Sequence, residues 1–98
     1  MDRQDILDRP RENESALRER GIARAALFGS RARGDNRPES DIDIMVEIAP
    51  DFPMDVFQYV GVVHAIEDLF SLPVDVFNLT ARKSHIRPSV QREAVYAF

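Results

Sequence analysis

Ser40-Asp-Ile-Asp-Ile-Met-Val-Glu-Ile48 is the stretch on which the fold turns. Ile42, Ile44, Val46 and Ile48 alternate with Asp41, Asp43, Met45 and Glu47. A period of two predicts a strand with one buried face. Turn formers bound it on both sides: Gly34-Asp-Asn-Arg-Pro-Glu-Ser40 ahead of it, Pro50 and Pro53 behind it.

Upstream, Ile22-Ala-Arg-Ala-Ala-Leu-Phe28 reads as a second strand, ending at Gly29-Ser30 and followed by a short helix over Arg31-Ala-Arg33. Residues 2–20 read as helical, interrupted near Pro10 because proline disfavours helix at the residue before it, and closed by Gly21. Downstream, residues 54–71 read as a helix whose apolar stripe is Val56, Tyr59, Val60, Val63, Ile66 and Phe70. Pro73 ends it, and Val74-Asp-Val-Phe77 is a third strand. A polar connection leads to Pro88 and a last helix over about 87–97, with Val90, Ala94, Val95 and Phe98 on its apolar side. This order predicts a small α+β or α/β domain built on a mixed sheet.

With 98 residues the chain is one domain, 1–98. It has no Cys, which excludes disulfides and thiolate metal sites, and only two His, His64 and His85. The apolar runs are too short to span a bilayer and the first residues are polar, so a cytoplasmic location without membrane attachment is expected. The net charge of −4 argues against gripping nucleic acid through its phosphates. Arg31, Arg33 and Arg37 nevertheless crowd one short stretch, and Arg suits bidentate phosphate contact.

Three features carry chemistry. Asp41 and Asp43 lie two apart on a strand, so they share a face at a spacing of ~6.5–7 Å, opposite the core-facing isoleucines. A pair of hard oxygen ligands that would otherwise repel selects Mg2+ or Mn2+; alone, Asp-x-Asp reads rather as a solvated strand face with two charges. Gly29-Ser30, at a strand-to-helix junction, offers free backbone N–H groups, a hydroxyl and close approach, with Arg31 or Arg33 adding charge. It is not a Walker loop, and alone it reads as a plain turn with a capping serine. Asp75 alternates with Val74 and Val76, on the outer side of its strand. Beside the Asp41/Asp43 strand it would complete a set of three carboxylates. Phosphates on Gly29-Ser30 and metal on the acids are the equipment of two-metal nucleotidyl transfer, with cations ~3.5–4 Å apart and Asp75 holding the second metal or taking the hydroxyl proton.

At these residues the chain resembles the nucleotidyltransferase superfamily related to DNA polymerase beta, whose signature is Gly-Ser, a spacer, Asp-x-Asp and a later third acid. Here ten residues separate Gly29-Ser30 from Asp41-Ile42-Asp43. Ala26-Leu-Phe-Gly-Ser-Arg-Ala-Arg-Gly34 with Ser40-Asp-Ile-Asp-Ile44 is similar to the minimal nucleotidyltransferase (MNT) proteins, along nearly the whole chain. The resemblance implies a polymerase beta-like palm, a small mixed sheet with helices packed on one face. It further implies an antitoxin that transfers AMP from ATP, with Mg2+ (or Mn2+), to a tyrosine hydroxyl of a HEPN-domain toxin. Carried over by residue, Gly29 and Ser30 bind nucleotide, with Arg31 and Arg33 in the same string, while Asp41, Asp43 and Asp75 are the catalytic, metal-holding acids. So small a domain leaves the acceptor to a partner protein. Two other readings stand beside this one: an antitoxin that neutralises by binding, through an apolar surface including Tyr96 and Phe98, and an enzyme acting on a small molecule or an RNA end. His64, Tyr59, Phe57 and Phe28 read as structural.

Overall fold

In a computed structural model, described over residues 1–82 and 92–98, the elements run α1 (Arg3–Glu12), α2 (Glu14–Glu19), β1 (Ile22–Phe28), α3 (Ser30–Arg33), β2 (Ile42–Ile48), α4 (Val56–Glu67), β3 (Val74–Asn78), α5 (Leu79–Arg82) and β4 (Val95–Tyr96). The strands form one mixed sheet of order β3-β2-β1-β4. β1 runs antiparallel to both β2 and β4, whereas β2 and β3 are parallel. A parallel pair cannot be joined by a tight turn, and α4 makes the crossover.

The alternation read from β2 sets the layers. Ile42, Ile44 and Val46 join one buried cluster with Ile6 and Leu7 of α1, Leu17 of α2, Val62 and Ile66 of α4, and Leu27 of β1. Helices α1, α2 and α4 therefore cover one face of the sheet, as expected. Each fully buried Ile or Leu contributes about 1.5–3 kcal/mol of hydrophobic stabilisation. In β1 the core-facing residues are Ile22, Ala25 and Leu27, an odd step that the register shift between Ile22 and Arg24 produces.

The other face is not simply solvated. Met45, expected among the outward residues, is buried together with its register partner Ala26. Phe28 and Phe77, on the strands either side of β2, meet edge to face at 5.1 Å between ring centroids. α5 packs on β2 with Leu79 buried, and the Thr80 hydroxyl accepts from the Ile48 amide at 2.8 Å.

Three expectations are corrected. The N-terminal helix runs through Pro10 and breaks at Asn13. Pro10 lies in the last turn, where its missing N–H removes only one ladder bond, and its ring is buried. The helix expected over 54–71 is Val56–Glu67, started by a capping box between Asp55 and Gln58. Only Val62 and Ile66 of α4 are buried, while Val56, Phe57 and Val60 are exposed, so the first half of the expected stripe does not join the core. The end of the expected last helix is strand: Tyr96 pairs with Ala26 and Val95 with Leu27, giving β1 a backbone partner on its second edge. Pro88, Val90 and most of that predicted helix lie outside the described residues, as do Lys83 and His85; Arg92 and Glu93 are helical.

Scattered arginines fasten the tail. Arg11 donates to the carbonyls of Ala97 (2.9 Å) and Tyr96 (3.2 Å). Arg18 lies over the Phe98 ring and Arg24 over the Tyr96 ring. Among the described residues, no helix is long and apolar enough to cross a membrane.

Candidate active site

Gly29 directly follows the end of β1 and turns the chain into α3 at φ 76°. That left-handed backbone favours glycine. Space gives a second reason: a Cβ on Gly29 would stand 2.5 Å from Oδ2 of Asp43. The missing side chain is what lets the turn and the carboxylate lie against each other. Within the turn, the amides of Ala32 and Arg33 both donate to the Gly29 carbonyl, and those of Gly34 and Asp35 to the Ser30 carbonyl. The amides of Ser30 and Arg31 stand ahead of these, at the opening of α3, beside the Ser30 hydroxyl.

Asp43 sits inside β2, opposite Phe28 on one side and Asp75 on the other. In a parallel pair, register partners leave the sheet on the same face, so the two carboxylates are neighbours. Asp41 lies two residues before Asp43, just ahead of the strand, and its backbone is bracketed: the Ile42 amide donates to Pro73 at 3.0 Å, and the Ser40 carbonyl is held by Arg31. Asp41 and Asp75 are exposed and Asp43 is half-buried.

Electrostatics follow from this placement. Burial, then Asp75, then Asp41 push the Asp43 carboxyl above the ordinary carboxylate range, against a smaller opposing pull from Arg33. Among the described residues, none of the three acids makes an ion pair, and no three His, Cys, Asp or Glu side chains are already gathered as a closed metal cage. The donor set is nonetheless all carboxylate oxygen and mutually repelling, with Arg33 offsetting only a smaller part of that repulsion at Asp43, which fits a hard divalent cation.

The two arginines part company. Arg33 is exposed, paired with Asp35 at 3.0 Å and Glu93 at 3.3 Å. Hydrogen bonds to Asp35 and then Glu93 raise its pKa further above the ordinary arginine value. Arg31, expected beside it as a nucleotide ligand, is buried, with its guanidinium directed at the backbone carbonyls of Ser40, Pro38 and Met1. Its donors are turned into the protein. Nothing local in the sequence separates two arginines one residue apart; only the direction of α3 does. Glu93, which steers Arg33 from 60 positions away, was equally invisible as a site neighbour.

A cavity of about 490 Å³, lined by Ile48, Phe52, Met54, Tyr59, Asn78 and Thr80 among others, opens at the far ends of β2 and β3. The acids sit at the starts of those same parallel strands, so this cavity is not their site.

A family model described as Nucleotidyltransferase domain matches residues 11–97. The chain belongs to this family. Among its relatives, the nucleotidyltransferase domain is 34% identical over 85 residues to protein adenylyltransferase MntA of Thermococcus cleftensis, covering 86% of this chain and 84% of that protein. It is 30% identical over 96 residues, 94% of each chain, to a Methanocaldococcus jannaschii protein provisionally named a protein adenylyltransferase. A solved structure provisionally described as a minimal nucleotidyltransferase superposes with a TM-score of 0.72 at 27% identity, covering 97% of this chain and 95% of that one. A toxin-antitoxin crystal structure with AMP-PNP shares the fold at TM-score 0.58 and 18% identity, across all of this chain and 73% of that one.

Proposed function

We propose that this nucleotidyltransferase domain is a protein adenylyltransferase that acts as an antitoxin, moving AMP from ATP to a tyrosine hydroxyl of a HEPN-domain toxin. The observation that carries the reading is the facing of Asp43 and Asp75 across β2 and β3 with Gly29 pressed against Asp43. The adenylyltransferase names of its relatives support the transferred group. Asp41 and Asp75 are exposed beside the half-buried Asp43, which leaves the acids open to an acceptor supplied by another protein.

In this reading Ser30 and the amides at the start of α3 bind the triphosphate, and Gly29 admits it to the Asp43 carboxylate. Arg33, held by Asp35 and Glu93, adds positive charge at the rim. The acceptor oxygen forms a bond to the α-phosphorus, the bond from that phosphorus to the bridging oxygen breaks, and pyrophosphate leaves. Asp75 stands on the face where the hydroxyl proton is released and serves to receive it or to hold a cation. Mg2+ or Mn2+ held by Asp41, Asp43 and Asp75 would supply charge neutralisation for the phosphates and lower the pKa of the attacking hydroxyl.

A second reading, neutralisation by binding alone, draws on the exposed Val56, Phe57 and Val60 of α4. The surface expected for it, Tyr96 and Phe98, is half-buried beneath Arg24 and Arg18. Toxin neutralisation by Asp43→Ala separates the two: it is lost if transfer is the mechanism and kept if binding suffices.

A further inference from the structure

Arg31 is the buried charged residue of the described chain, only 4% exposed, whereas the other arginines whose exposure is described lie at the surface. Among the described residues it makes no ion pair. Its hydrogen bonds all run to neutral carbonyls. Nε and Nη2 fork onto Ser40 at 3.1 and 2.9 Å, Nη2 also reaches Pro38 at 3.2 Å, and Nη1 reaches Met1 at 3.4 Å. Burying a charge without a counter-ion is unfavourable unless its donors are satisfied, and the fork satisfies them. Four carbonyl contacts from a planar guanidinium fix a direction as well as a distance.

The placement of the two ends matters. Arg31 follows Ser30 directly, and Ser40 directly precedes Asp41. The intervening segment closes on itself, with the Ser40 amide on Arg37 and the Arg37 amide on the Ser40 hydroxyl. On the other side of Asp41, Ile42 is fastened to Pro73. Asp41 is thus an exposed carboxylate on a backbone pinned at both neighbours.

We propose that Arg31 is a positioning residue: it ties the carbonyl of Ser40 to the Gly29-Ser30 turn and so fixes the backbone of Asp41 relative to that turn, where Asp41 would serve as a cation ligand. The proposal rests on the reading of Asp41 as a cation-holding acid. Residues that orient ligands from behind typically change metal affinity by about 10–100-fold when replaced. Lysine keeps the charge but cannot fork onto one carbonyl, so Arg31→Lys isolates the geometry.

The test is calorimetric titration of the intact chain with Mn2+, with circular dichroism as a check on folding. Arg31→Lys is expected to weaken Mn2+ binding about tenfold. The double variant Arg31→Lys/Asp41→Asn is expected to bind no worse than Asp41→Asn alone, because Arg31 acts through Asp41. A Mn2+ affinity within twofold of the unaltered chain, or a full additional loss in the double variant, overturns the proposal. Should Arg31→Lys not fold, hydrogen exchange of the unaltered chain decides: a slowly exchanging Arg31 Nε–H, which donates to the Ser40 carbonyl, supports the fork and a freely exchanging one overturns it. Absence of Mn2+ binding and of AMP transfer by the unaltered chain would overturn the functional reading as a whole, an outcome distinct from unchanged binding in Arg31→Lys.

Discussion

Asp43 and Asp75 are register partners on adjacent parallel strands, so two acids 32 positions apart leave one face of the sheet side by side. Burial, and after it repulsion from Asp75, raises the Asp43 carboxyl above its ordinary range. The site holds an electrostatic cost that the fold alone does not relieve.

Asp43→Asn is therefore expected to abolish AMP transfer and slightly stabilise the fold. A raised folded pKa means that the favourable contribution is fully present below the unfolded pKa of about 3.9 and is lost as pH rises through the folded value. The variant should match the unaltered chain below about pH 4 and exceed it at neutral pH. The gain is on the order of 0.5 kcal/mol, kept small by solvent screening. Denaturant melts at pH 3.5 and 7 measure the two ends of this window; a variant less stable at pH 7 contradicts it.

Gly29→Ala introduces a methyl group 2.5 Å from Oδ2 of Asp43, at a left-handed φ. The backbone cost is about 1 kcal/mol. The carboxylate must also swing aside, and a displacement of that kind lowers rates by about 100-fold. Steady-state kinetics beside a thermal melt should show activity falling far more than stability.

Arg33 pulls Asp43 toward the charged form, against the larger effects of burial and Asp75. Arg33→Met should let the Asp43 pKa rise further, so the acid limb of the pH–rate profile moves to higher pH. Its guanidinium is exposed, and little change in stability is expected. A limb that stays in place would show that Arg33 does not set the charge of Asp43.

Asp55→Ala removes the cap of α4, whose carboxylate accepts from the Gln58 amide at 2.7 Å. A loss of about 1 kcal/mol is expected. Because α4 begins at the end of the sheet away from the acids, the transfer rate of folded protein should be unchanged.

Much of this was legible from one strand. Strict alternation over Ile42–Ile48 set the sheet and its faces, and turn residues marked the loop and the Gly29-Ser30 junction. Adjacency of β2 and β3 was needed to bring Asp75 in, and it depends on the crossover made by α4, not on any local pattern. Long-range pairing also accounts for the misread places. Met45 is buried on a strand flanked by two others, where its register partners are Ala26 and Phe77. Val95 and Tyr96 are helix-compatible by spacing but pair with β1. Arg31 and Arg33 read alike in sequence, and only the fold turns one inward and the other to the rim.

The central claim is tested most directly by intact-mass spectrometry of the partner toxin after incubation with this chain, ATP and Mg2+. The expected result is the addition of whole AMP units to a tyrosine, absent with Asp43→Asn and absent without Mg2+. An unmodified toxin, or equal modification by Asp43→Asn, would contradict the account.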